Sequence, residues 1–220
     1  MKGIPSYGLL CKNQNNQIVF VQRRHTVEYI EVICGNYTCN LMLKVFLYKL
    51  TMQEKNSLMS KSFLELWNYL WRFHSRKKFT TNQLLKFEAN KLKIKRMIRE
   101  INKTNFLKVS ADITLPKGRK IGKETALDAS IREFVEETGI QTNYFTVFKH
   151  HYIVEHFMGT NEKKYSTQYF FATMNRYFNR QQLVCDKKEV SNVFFLSRQE
   201  AMDRIDIRKP ELRSVIMKIK

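Results

Sequence analysis

The stretch GRKIGKETALDASIREFVEETGI, residues 118–140, decides the reading of the chain. Gly118 is followed after five residues by Glu124. Seven more lead to Arg132-Glu133-Phe134-Val135-Glu136-Glu137, and one further residue to Gly139-Ile140. At about 100° per residue on a helix, Leu127, Ile131, Phe134 and Val135 share one apolar face, and Glu133, Glu136 and Glu137 gather on the opposite one. Gly139 then supplies the helix C-cap. Carboxylates three and four residues apart repel and weaken a helix. Their convergence in a chain that is otherwise strongly basic reads as a seat for a divalent cation, and all-oxygen ligands suit Mg²⁺ or Mn²⁺. Arg132 stands four positions before Glu136, so its planar fork is expected to fix a ligand's rotamer without touching metal. Just ahead of the helix, the backbone N–H groups and cations of Leu115-Pro116-Lys117-Gly118-Arg119-Lys120 make Lys117, Gly118 and Arg119 candidate phosphate-binding residues.

Outward from this helix the pattern is mixed α/β. Ser6 to Cys11 and Ile18 to Gln22 flank the polar turn Asn13 to Asn16 and read as a hairpin. Ile113 and Leu115 form a short apolar approach to the loop. Strand-like runs follow at Phe145 to Phe148, Tyr152 to Phe157, Gln168 to Thr173 and Val193 to Leu196, and then a C-terminal helix. From about His25 to Asn105 the character differs: Leu41, Val45, Leu47, Leu58, Phe63, Leu66, Trp67, Leu70 and Trp71, then Leu84, Leu92, Met97, Ile98 and Ile101, recur at helical steps. The expected topology is an α/β domain, with a mixed sheet, interrupted by a helical insertion: residues 1–25 as the hairpin, 26–105 as the insertion and 106–220 as the remainder.

The composition supports a folded protein, with 43% hydrophobic residues over 220 positions and only 7 Gly and 3 Pro, which excludes a disordered or collagen-like chain. A formal net charge of +19 favours phosphate-rich polyanions as partners. Between residues 72 and 103 there are 11 Lys and Arg against Glu88 and Glu100 alone. Such a strip suits an RNA backbone, with Lys91, Lys93, Lys95, Arg96 and Arg99 as the candidate contacts. Phe73, Phe79 and Phe87 suit either base stacking or the helical core. No apolar run is long enough to span a bilayer, and the first ten residues lack a signal-peptide core, so an intracellular, soluble protein is expected. Cys11, Cys34, Cys39 and Cys185 are then expected to be reduced, buried thiols, without a disulfide framework.

Residue for residue, Gly118, Glu124, Arg132, Glu133, Glu136, Glu137 and Gly139, with apolar Phe134 and Ile140, resemble the Nudix box. That resemblance implies a Nudix α/β/α sandwich that hydrolyses a diphosphate linkage with Mg²⁺ or Mn²⁺ held by Glu124, Glu133, Glu136 and Glu137. Glu133 would orient or deprotonate the attacking water. More of the chain resembles the mRNA-decapping Nudix proteins of large DNA viruses: Ser6-Tyr7-Gly8-Leu9-Leu10-Cys11, Val21-Gln22-Arg23-Arg24, Leu50-Thr51-Met52-Gln53-Glu54 and Phe63 to Trp71. Glu189-Val190-Ser191-Asn192-Val193-Phe194-Phe195 is similar to their segment carrying a glutamate outside the box, which makes Glu189 a candidate metal ligand or general base. Near Phe157-Met158-Gly159, where such relatives place another acid, this chain has no aspartate, and Glu155 is the nearest carboxylate. The resemblance implies capped mRNA as substrate, release of methylated guanosine diphosphate (m7GDP), and action in the host cytoplasm, with association with ribosomes or rough endoplasmic reticulum. Diphosphoinositol polyphosphates or dinucleoside polyphosphates are the alternative substrates. The oligomeric state is not legible.

Overall fold

The computed structural model describes residues 3–71, 78–104, 112–159, 163–176, 189–205 and 209–219. It divides into two compact units, Met1–Arg24 with Asp112–Lys220, and His25–Ala111.

The first unit is built on a seven-stranded mixed sheet. Its strands are β1 (Ile4–Lys12), β2 (Ile18–Arg23), β3 (Ile113–Thr114), β4 (Lys117–Gly118), β5 (Phe145–Met158), β6 (Lys164–Met174) and β7 (Val190–Leu196). The order is β3-β2-β1-β6-β5, with β4 paired to β1 and β7 to β2. β1 and β6 run parallel, and the other pairs are antiparallel. Because side chains alternate across a pleated strand, each strand serves two cores. Leu9, Cys11, Val19, Phe170, Ala172 and Phe195 face Phe134 of helix α6 (Ala126–Thr138). Leu10, Ile18, Phe20, Tyr169 and Leu196 face the other way, onto Ala201 of α7 (Arg198–Arg204) and Leu212, Val215 and Ile216 of α8 (Pro210–Met217). The result is an α/β/α sandwich.

Two features of this unit differ from the sequence pattern. The runs 145–148 and 152–157 are one strand, since a bulge at Lys149, His150 and His151 absorbs the broken alternation while pairing to β6 continues on both sides. The C-terminal helix is two helices, the second started by Pro210 in its first turn.

The second unit is helical: α1 (Val27–Cys34), α2 (Asn40–Lys49), α3 (Met52–Ser60), α4 (Phe63–Trp71) and α5 (Thr81–Thr104). Phe63, Trp67, Phe87, Ile94, Ile98 and Ile101 belong to its single apolar core. Phe87 is fully buried, and Phe79 packs edge-on to Phe63 and Trp67, so these two rings are core and are not presented to bases. Phe73, Arg72, Arg76 and Lys77 lie outside the described residues. Cys11 and Cys34 are buried free thiols, whereas Cys39 is exposed. Its Sγ takes the exposed N-cap of α2, accepting from Met42 N at 3.5 Å. Cys185 lies outside the described residues.

One buried acid organises this unit. Glu54 closes the N-terminus of α3, where its Oε2 accepts from Thr51 N at 2.9 Å. It also accepts from Thr26 N (2.7 Å) and Thr26 Oγ1 (3.0 Å), and Thr26 itself caps α1. His25 Nδ1 stands 3.7 Å away. Burial alone would raise the Glu54 pKa, but the His25, Thr26 and Thr51 donors outweigh it and hold the carboxyl below its ordinary value.

Candidate active site

Helix α6 is specified at both ends. Thr125 and Asp128 form a reciprocal capping box, and Gly139 closes the C-terminus at φ 74°, a conformation that disfavours a side chain. Between the caps Phe134 is fully buried and stacks edge-on to Phe145 at 4.9 Å, which fixes the helix's rotation on the sheet. Truncating Phe134 to Ala would cost about 3–5 kcal/mol. With the rotation fixed, Glu133 lies against Gly118 and Glu137 against the Lys117 N–H of β4, while Glu136 stays exposed beside Arg132.

The packing explains Gly118. A Cβ at this position would overlap the Glu133 carboxyl group, so the glycine leaves the cradle in which that carboxylate lies. The preceding residue holds the next acid, for Lys117 N donates to Glu137 Oε2 at 3.0 Å. Desolvation raises the Glu133 pKa, with Glu136 and Glu189 reinforcing the rise and Arg132 opposing it. Desolvation pushes Glu137 further, up to about 8, against the opposing Arg23 guanidinium and Lys117 N–H and with Glu133 and Glu189 adding to it. Glu189, in the turn leading into β7, therefore lies in the electrostatic reach of both, and its carbonyl accepts from Arg24 N at 2.8 Å. Arg23 was not singled out from the sequence. It enters because the β2–β7 register sets it beside Val190, next to Glu189.

Arg132 is the hub of the exposed side. Its Nε and Nη2 meet Glu124 Oε1 and Oε2 at 2.7 and 3.2 Å, and Nη2 also donates to the Arg119 carbonyl at 2.8 Å. Nη1 reaches Glu133 Oε1 at 2.9 Å and Glu136 Oε2 at 3.0 Å. These bonds raise the Arg132 pKa, chiefly through Glu124, and lower that of Glu124. Glu124 differs from the expected ligand: both its oxygens are committed, to Arg132 and to the Ile121 N–H at 2.9 Å, so it anchors the guanidinium. Among the described residues no three His, Cys, Asp or Glu side chains converge as a formed metal centre, and Arg132 engages both Glu133 and Glu136.

Lys117 also departs from expectation. Residues 117 and 118 lie opposite Gly8 and Tyr7, so their side chains leave the sheet on opposite faces. The Lys117 ammonium is 3.3 Å from both Glu155 Oε2 and Thr167 Oγ1, between the rings of Phe157 and Tyr169. Tyr169 OH donates to the same Glu155 oxygen at 3.0 Å. Burial lowers the Lys117 pKa, and Glu155 opposes that shift. The ammonium is thus spent inside the fold, and Glu155 balances it. What Lys117 brings to the acidic cluster is its backbone N–H. Arg119 is exposed beside Lys120.

The donor set fits a hard divalent cation. Glu133 and Glu137 are oxygen donors whose ionised form the surrounding protein disfavours, and a cation would relieve that cost. Glu133 and Glu136 each meet Arg132 through a single oxygen, whereas Glu124 grips it through two. Turning Glu133 and Glu136 toward a metal would leave Arg132 anchored.

In the second unit, Lys91, Lys95 and Arg99 lie at four-residue steps on α5: Lys91 and Lys95 are half-buried along the flank of the face that buries Ile94, Ile98 and Ile101, and Arg99 is exposed. Lys91 is 3.2 Å from Glu88, Lys93 Nζ donates to Asn40 Oδ1 at 3.2 Å, and exposed Arg96 lies 3.9 Å from Glu100. No helix of the described residues is long and apolar enough to cross a membrane.

A crystal structure of a C. elegans Ap4A hydrolase binary complex matches 98% of this chain and 93% of its own, with a TM-score of 0.51 at 12% identity, a likeness of fold. The mRNA-decapping protein g5R of African swine fever virus (isolate Warthog/Namibia/Wart80/1980) is 31% identical over 77% of this chain and 72% of its own length. A protein of Acanthamoeba polyphaga mimivirus is 25% identical over 93% of this chain and 65% of its own length. The NUDIX domain matches residues 97–217, more than half of the chain. With the acidic helix, its glycine cradle and the sandwich that carries them, this chain belongs to the Nudix family of diphosphate hydrolases.

Proposed function

We propose that this Nudix hydrolase removes the 5′ cap of mRNA, releasing m7GDP and leaving RNA with a 5′-monophosphate. The observation that carries the chemistry is the pair of desolvated carboxylates, Glu133 over Gly118 and Glu137 on Lys117 N–H, in which burial outweighs the Arg132 and Arg23 guanidinium groups that oppose it. The substrate class rests on the similarity to the viral mRNA-decapping protein, which extends beyond the box over 77% of the chain.

Glu133, Glu136 and Glu137 would hold Mg²⁺ or Mn²⁺, with Glu189 approaching from the turn before β7. The bound metal supplies charge neutralisation of the diphosphate and activation of water. Glu133 orients that water or takes its proton, its basicity raised by burial. Arg132, held by Glu124 and the Arg119 carbonyl, keeps Glu133 and Glu136 from swinging apart before the metal arrives. Arg119 and the N–H groups of the loop meet the phosphate oxygens.

The basic residues of α5, Lys91, Lys93, Lys95, Arg96 and Arg99, follow the RNA backbone, consistent with the +19 charge of the chain. In this reading the protein promotes mRNA turnover and host shutoff in the cytoplasm of an infected cell. Incubation with cap-labelled RNA and Mg²⁺ or Mn²⁺, followed by product identification, tests it. Metal-dependent release of labelled m7GDP is expected. Inert capped RNA alongside cleavage of diphosphoinositol polyphosphates or dinucleoside polyphosphates would replace the substrate, and no cleavage of any of these would remove the activity.

A further inference from the structure

The face of the sheet that carries the acidic helix continues past it. Leu9, Phe170 and Tyr152 form one row across β1, β6 and β5. Leu9 and Phe170 are sealed against Phe134, but Tyr152, at the outer end, is 54% exposed and leans on Phe170 at 5.9 Å. Two residues along the strands, on the same face, the next row runs Gly118, Tyr7, Gln168 and Val154 across β4, β1, β6 and β5. Tyr7 and Gln168 are half-buried, and Val154 is exposed. This row starts at the glycine that cradles Glu133. With strands about 4.8 Å apart, it extends some 14 Å from that carboxylate to the outer strand.

The chemistry of the two rows is unusual for this chain. In a protein with 39 Lys and Arg, none of the seven positions is basic. They offer two tyrosine rings, one amide and aliphatic surface. A polyphosphorylated inositol would meet no cation there. A purine that carries a positive charge through methylation would stack on tyrosine faces, to which cations are drawn, and would present its edge to the Gln168 amide, which both donates and accepts.

We propose that Tyr7, Gln168, Val154 and Tyr152 form a shelf that seats the methylated, cationic base of the cap, while its phosphates reach back along the row to Glu133. This rests on the decapping reading and adds to it the residues that choose the base. The test uses two exposed positions whose exchange spares the fold. Tyr152→Ala removes a stacking ring, and Val154→Lys places a cation on the shelf. Capped-RNA turnover and m7GDP inhibition are measured for wild type and both variants, with inorganic pyrophosphate as the inhibitor that lacks a base. Both variants are expected to lose about tenfold or more in capped-RNA kcat/KM and in m7GDP affinity, with pyrophosphate inhibition unchanged. Variants that cleave capped RNA as well as wild type, or that lose m7GDP and pyrophosphate binding equally, would overturn the shelf and leave decapping standing. Wild type that leaves capped RNA intact would overturn both.

Discussion

Two of the places where this molecule shields glutamates from water treat them in opposite ways. In the helical unit Glu54 receives the Thr26 N–H, the Thr26 hydroxyl and the Thr51 N–H, and its carboxyl is held below the ordinary value. On α6, Glu133 and Glu137 are desolvated with few donors, and their carboxyls are pushed up. A buried charge that is fully hydrogen-bonded locks a fold, whereas one left short of partners costs stability and retains capacity for a ligand. Glu54 is thus a structural pin and the α6 acids are a site.

The largest expected effect falls on catalysis. Glu133→Gln preserves shape but removes charge and basicity, so turnover of capped RNA should fall about 10²–10⁴-fold while the folded fraction by circular dichroism is unchanged. Undiminished turnover would remove Glu133 from the chemistry. Glu54→Ala should do the reverse. It strands three donors and lowers folding stability by about 3 kcal/mol in denaturant titration, and a loss under 1 kcal/mol would show that Glu54 is not a pin.

The two sites should also respond oppositely to pH. Folded Glu137 keeps its proton up to about pH 8, whereas an ordinary carboxyl releases it near 4.5. The folded state therefore binds more protons across that window, and in chelator its stability should fall as pH rises through it. Glu54, with a lowered pKa, contributes stability above the ordinary value that is lost as pH falls. Glu137→Gln should flatten the decline between about pH 4.5 and 8. A wild-type stability that rises across that window, or a variant with the same slope, would contradict the assignment. The smallest expected effect is on RNA: reversing several charges from Lys91 to Arg99 should weaken capped-RNA turnover several-fold, more so at low salt, and spare a small diphosphate substrate. Equal loss on both substrates would remove the RNA track.

The sequence shows this contrast only in part. Helical periodicity and the glycine at 139 suffice to orient the α6 acids, because local geometry alone sets them. The close approach of Glu133 to Gly118 is also latent in the motif, though the reason for that glycine appears only when β4 packs against the helix. Lys117 could not be read correctly from composition. A two-residue strand sets alternate residues on opposite faces, and sequence does not say which of the pair turns toward the acids. Arg23 reaches its place through a strand register that joins positions more than a hundred residues apart, and Glu155 meets Lys117 across 38 residues, which no local pattern encodes. Phe79 and Phe87 look alike as stacking or core residues until the partners of α4 and α5 are known.

The central contrast is tested most directly by titrating Mn²⁺ into the folded protein and following the free-ion electron paramagnetic resonance signal. Wild type and Glu54→Gln should deplete that signal alike, and Glu133→Gln and Glu137→Gln should need at least tenfold more protein to do so. Wild type that leaves Mn²⁺ free, or four proteins that bind it equally, would contradict the assignment of the α6 carboxylates as the metal seat.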